Sequence, residues 1–138
     1  MSWTSTLGSI TAVLRAYYED TWGISDVRTQ NEGRASDDAQ PEAVVTWVRL
    51  NYIAGSSFHF QMGDRSSRME GRIVQQIFVP KGRGLGAATK IADGVIEQME
   101  TLVVPSLRFF ASSQTAIGPA GDFYQVNVTT PIRFTMDR

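Results

Sequence analysis

The chain has 138 residues, 42% of them hydrophobic, no cysteine and a formal net charge of −1. This length suits one domain with a sizeable core. The lack of cysteine excludes disulfides, zinc–thiolate sites and a cysteine nucleophile, and no run approaches the roughly 18 apolar residues of a membrane-spanning helix.

The N-terminus, MSWTSTLGSI, lacks the basic and then apolar pattern of a signal peptide, and the lack of cysteine is compatible with a reducing cytosol. Charge is unevenly spread. Residues 1–48 carry −4, residues 49–90 carry +5 and residues 91–138 carry −2. The whole chain is no polyanion binder by charge, yet its middle third is locally basic.

Leu7, Ile10, Leu14 and Tyr17, widened by Val13, recur at spacings of three and four and predict an amphipathic helix from Thr4 to about Asp20. Thr4 or Ser5 can cap it. Residues 21–43 are polar, acidic and turn-rich. A structureless stretch of that length is uncommon in a compact domain, so it either hides a short strand around Ile24 to Thr29 or is a mobile arm used in assembly. Val44 to Ile53 alternates as a strand, with Val48 and Leu50 on one face and Trp47, Arg49 and Asn51 on the other. Gly55 is expected to break it. Phe58, Phe60 and Met62 suggest a second strand, and a basic loop at 63–72 containing Arg65, Arg68 and Arg72 leads to a third, Arg72 to Val79, in a hairpin.

After Pro80 come Gly82, Gly84 and Gly86, then a helix from about Leu85 to Leu102 that Pro105 stops. Leu107 to Ser112 reads as a fourth strand. Gly118, Pro119 and Gly121 mark a turn, and Phe123 to Phe134 is the last strand, with Pro131 implying an edge or a bulge. The expected fold is α+β: a small, mixed, mostly antiparallel sheet of about five strands with two helices packed on it, in the order α-β-β-β-α-β-β. Residues 1–138 form a single domain.

Catalytic machinery is sparse. His59, the single histidine, lies between Phe58 and Phe60 and should point away from the face they bury. With no cysteine and one histidine, a metal site of the usual kind is not expected. Gly82-Arg83-Gly84-Leu85-Gly86-Ala87 fits G-x-G-x-x-A, but the following strand offers no acidic ribose ligand. No Gly-Lys-Ser/Thr follows to make a P-loop.

The turn Lys81 to Ala87 resembles the pyrophosphate-binding turn of GNAT-type acetyltransferases, with Val79-Pro80 before it. It departs from that pattern in two ways. Lys81 stands where Arg or Gln is usual, and the spacing to the glycines is two residues shorter. The family's later helix also has no counterpart. This resemblance would imply an acyltransferase using acyl-CoA.

A second resemblance covers nearly the whole chain. A helix ending near Trp22 is followed by Asn31 and Pro41, then Trp47-Val48-Arg49-Leu50, then the Arg68 to Gly71 turn and Ile73 to Val79 closing in Pro80. The turn Gly82 to Gly86, the helix containing Ile91-Ala92-Asp93, and the ending Gly121-Asp122-Phe123-Tyr124-Gln125-Val126-Asn127-Val128 complete the series. In this order and spacing the chain resembles the tail terminator (tail-completion) proteins of long-tailed bacteriophages.

That resemblance implies a structural virion protein without enzymatic activity or cofactor. It would assemble in the host cytoplasm as a ring, typically a hexamer, at the head-proximal end of the tail. Its partners would be further copies of itself, the tail tube protein and the head-completion or connector protein, with transient contact to genomic DNA and none to membrane. Arg65, Arg68, Arg72, Lys81 and Arg83 are then candidate contacts to the tube, a neighbouring subunit or channel DNA. Glu32, Asp37 and Asp38 are candidates for a subunit interface, because an acidic 19–42 segment and a basic 65–83 segment could meet across neighbours.

Overall fold

A computed structural model describes residues 3–29, 45–59, 66–105 and 107–137. Helix α1 spans Trp3–Trp22, β1 Val27–Thr29, β2 Trp47–His59 and β3 Ser66–Pro80. A 3-10 turn, Lys81–Arg83, leads into α2, Gly84–Thr101, and then β4 Leu107–Phe109, β5 Ser113–Ala120 and β6 Phe123–Asp137. The six strands form one sheet in the order β1-β2-β3-β6-β4, with β5 also paired to β6. Only β1 and β2 run parallel; every other pair is antiparallel. This is the expected α+β fold, with six strands rather than about five.

Three expectations are corrected. First, Gly55 does not end β2. The strand continues to His59 and absorbs the irregularity as a register shift between Ala54 and Ser57, as a β-bulge allows. Second, Ser66 to Arg72 is strand rather than loop, because β6 runs to Asp137 and supplies partners along its whole length. Third, Gly118 and Pro119 lie inside β5, leaving Gly121 and Asp122 as the turn into β6. The short strand suspected around Ile24 to Thr29 exists as β1; residues 30–44, 60–65 and their candidates Glu32, Asp37, Asp38 and Arg65 lie outside the described residues.

Pro131 sits in an interior strand, contrary to expectation. Its carbonyl accepts the Phe110 N–H at 2.9 Å on the side of β4 and β5. In an antiparallel strand the N and the carbonyl of one residue face the same neighbour. The missing proline N–H therefore falls where β5 has ended and β4 begins, and no ladder bond to β3 is lost.

Both helices cover one face of the sheet. Ile10, Leu14 and Tyr18 of α1, and Ala88, Ile91, Ala92, Val95 and Met99 of α2, bury against Val48 and Leu50 of β2, Ile73, Ile77 and Val79 of β3, and Val126, Val128 and Ile132 of β6. Each fully buried aliphatic side chain contributes about 1.5–3 kcal/mol. Tyr18, one residue beyond the expected stripe, is fully buried, whereas Val13 is exposed. Helix α1 stops at Gly23, whose φ of 67° lets its own N–H and that of Ile24 turn back to the Glu19 and Tyr18 carbonyls.

Helix α2 approaches the end of α1 at Gly94. A Cβ there would lie 2.7 Å from Trp22 Cζ2 and 2.9 Å from Tyr17 Oη. Those two groups are fixed to each other, since Trp22 Nε1 donates to Tyr17 Oη at 3.0 Å. Gly94→Ala should therefore lower stability. The overpacking cost of about 1–3 kcal/mol exceeds the gain of about 1 kcal/mol in helix propensity. A urea midpoint equal to or above that of the unmodified chain would contradict this packing.

One polar pair sits within the core. The Tyr18 hydroxyl donates to Gln75 Oε1 at 2.6 Å, and both residues are fully buried. Burial, aided by the neighbouring Tyr17 and Tyr52, raises the Tyr18 pKa well above its ordinary value. Above pH ~10 the unfolded chain ionises this phenol while the folded chain holds the proton. The stabilisation is thus complete below the unfolded pKa and is lost as pH rises beyond it. Tyr18→Phe should cost about 1–3 kcal/mol at neutral pH by orphaning Gln75 Oε1, and should flatten the alkaline loss of stability, as read from urea unfolding at pH 8 and pH 11.

Candidate functional site

Strand alternation sends every second residue to the sheet face that, among the described residues, carries no helix. At the end near β1, Trp47 and Phe78 stack with centroids 4.2 Å apart, and Phe123 meets Trp47 edge-on at 6.3 Å. Arg28 lies over Trp47 at 4.9 Å and Arg49 over Phe78 at 5.6 Å, a favourable cation–π arrangement. Both guanidiniums have further partners. Arg28 donates to both carboxylate oxygens of Asp26, at 2.9 and 3.1 Å, and Arg49 Nε donates to Gln76 Oε1 at 2.6 Å. In the middle of the face, Gln125 Nε2 donates to Asn127 Oδ1 at 2.8 Å.

The other end of this face is basic. Glu70 of β3 pairs across to Arg133 of β6, and Arg133 pairs across to Arg108 of β4. Arg68 and Arg72 flank Glu70 two residues away on either side, and so share its face. Arg133 Nη2 donates to Glu70 Oε1 at 3.1 Å, and Arg68 Nε stands 3.8 Å from the same oxygen. Arg72 and Arg108 are exposed. Phe110, 37% exposed, is flanked by Arg108 at 5.2 Å and Arg133 at 5.3 Å from its ring centroid. Among the described residues, four arginines and one glutamate thus share this end of the face, with Arg133 and Arg68 near the Glu70 carboxylate. Arg108 directly opposite Arg133 is a like-charge cross-strand pair, which costs stability.

The helix-covered side has the opposite sign. Glu19, Asp20, Asp93, Glu97 and Glu100 are exposed there, against Arg15 and Lys90. Among the described residues the two faces thus differ in sign.

Of the sequence candidates, Arg68 and Arg72 are brought together. Lys81 is exposed beyond the far end of β3, about 30 Å along the strand from Arg72, and Arg83 follows it in the same turn, its side chain outside the described residues. Lys81 does not join the patch. Arg108, Phe110 and Arg133 were not among the candidates. The alternation of β6 already placed Arg133 opposite Val128 and Thr130, but only the strand order shows that β4 and β3 lie beside it.

The glycine turn is fastened to the chain itself. The Lys81 N–H donates to the Asp122 carbonyl at 3.2 Å, and β3 stays paired with β6 up to Pro80 and Phe123. The strand after α2 pairs with β6, not with β3. Antiparallel β6 therefore separates the two parallel strands of this crossover, unlike the adjacent strands of a dinucleotide-binding unit. Among the described residues no three His, Asp or Glu side chains group as metal ligands, and no helix is long and apolar enough to cross a membrane.

No protein-family model and no curated protein matches the chain. Nine solved chains do. One of them is 14% identical with a TM-score of 0.72, an alignment that covers 100% of this chain and 99% of the other. At that identity the similarity shows a shared fold over the full length and nothing about activity.

Proposed function

We propose that this chain is a structural subunit of a closed ring, the tail terminator of a long-tailed bacteriophage. The ring caps the head-proximal end of the tail tube, stops further tube subunits from adding and offers the surface to which the head is joined. The observation that carries this reading is the two-sided layer. Among the described residues, one side of the sheet is covered by helices and is acidic; the other carries no helix and is basic at one end. A ring around a channel needs a wall whose inner and outer sides differ, built from heterologous contacts that close.

In this arrangement the sheet face lines the channel, the helices face outward, and neighbours meet through the sheet edges. The work is mechanical. Binding the last tube ring and presenting a new surface requires no covalent step, no cofactor and no metal. The resemblance to tail terminators over nearly the whole chain supports the same reading, and the α+β fold, one sheet with helices on one face, suits it.

The test is capping. Purified chain added to polymerising tail tube protein of the same phage should give short tubes with a ring at one end in negative-stain images. Tubes that elongate unchanged, with no added density at either end, would contradict the proposal.

A further inference from the structure

We infer that the Arg68, Arg72, Arg108, Arg133 and Phe110 cluster is a binding site for the phosphate backbone of double-stranded DNA. The inference deepens the channel-facing role proposed for this sheet face, but it is read in a separate assay on the chain alone.

Three observations carry it. First, the charge is local and unbalanced. In a chain of net charge −1, the fold brings four arginines from three strands onto one end of this face, and among the described side chains there Glu70 is their one carboxylate, held by Arg133 and near Arg68. Second, the arrangement works against folding. Arg108 faces Arg133 directly across β4 and β6, a pairing that a purely structural sheet avoids. Local conflicts of this kind concentrate at functional positions. Third, Phe110 is half-exposed between the Arg108 and Arg133 guanidiniums, and Arg72 and Arg108 are exposed beside it to solvent, where an anion can reach them.

All four cations are arginines, whose planar fork matches phosphate oxygens two at a time. The patch lies on a sheet rather than on a helix that could enter a groove. It therefore suits backbone contact without base reading, which is weak, sensitive to salt and tolerant of sliding. The acidic helix side repels the same polyanion, so binding has one orientation.

Glu70 sets the strength. Its carboxylate holds Arg133 and lies near Arg68, partly neutralising the site, and its removal should strengthen DNA binding. A structural role alone predicts no such gain.

The test is fluorescence anisotropy with a labelled 20-base-pair duplex, titrated with the full chain between 50 and 200 mM KCl. Binding should weaken with salt along a log–log slope of about −3, as three to four phosphate contacts require. Arg72→Ala with Arg108→Ala should weaken binding about tenfold at 50 mM salt and reduce the slope by about 2. Glu70→Gln should tighten it, and Lys90→Ala on the opposite side should change nothing. Circular dichroism of each variant checks that it is folded.

No duplex binding at 50 mM salt overturns the inference, as does binding indifferent to Arg72 and Arg108. Tighter binding of poly-glutamate than of the duplex would also overturn it, in favour of an acidic protein partner. Failure here leaves tube capping intact, and failure of capping leaves this assay readable.

Discussion

The structure depends on the pairing of β3 with β6. These two fifteen-residue strands run antiparallel in register from Ser66 against Asp137 to Pro80 against Phe123. Register fixes which residues face which way, because a slip of one residue would exchange the two faces entirely. With the observed register, Ile73, Ile77, Val126 and Val128 meet the helices, and Arg72, Gln76, Asn127 and Arg133 meet the other side. Most other elements are attached to this ladder: β2 on the outer edge of β3 with β1 beyond it, β4 and β5 in tandem on the outer edge of β6, and α2 across both strands.

The two ends of the helix-free face solve the problem of placing arginines on a sheet differently. Near β1, Arg28 and Arg49 lie flat on an aromatic stack, and their donors are engaged by Asp26 and Gln76. Positive charge is used there to complete a packed surface. At the other end, among the described residues, Glu70 holds Arg133 and lies near Arg68, Phe110 lies between Arg108 and Arg133, and Arg72 and Arg108 are exposed. The first arrangement is satisfied internally. The second leaves positive charge directed outward, and this contrast within one face separates the candidate site from ordinary surface.

Much of the fold was legible in the sequence. The helical spacing of Ile10 and Leu14, the glycine turn before α2 and the alternation of Val48, Leu50 and Tyr52 all led to the observed elements. The failures have local causes. Gly55 looked like a strand end because a bulge and a break present the same residue. Ser66 to Gly71 looked like a loop because its composition is polar, yet its backbone is held by β6, which no local pattern reveals. Strand β5, with the sequence SQTAIGPA, has neither alternation nor apolar weight and is a strand because β6 pairs with it. The candidate site was half legible for the same reason. Arg68 and Arg72 are close in sequence, whereas Arg108 and Arg133 join them only through the order of strands in the sheet.

The central claim is that this two-sided layer closes on itself around a channel. Native mass spectrometry of the purified chain across concentration and salt, followed by negative-stain imaging of whatever oligomer forms, tests it most directly. The account predicts a discrete closed oligomer, a hexamer, seen end-on as a ring with an open centre. A chain that stays monomeric at every concentration and salt, or that forms only open aggregates of no fixed size, would contradict it.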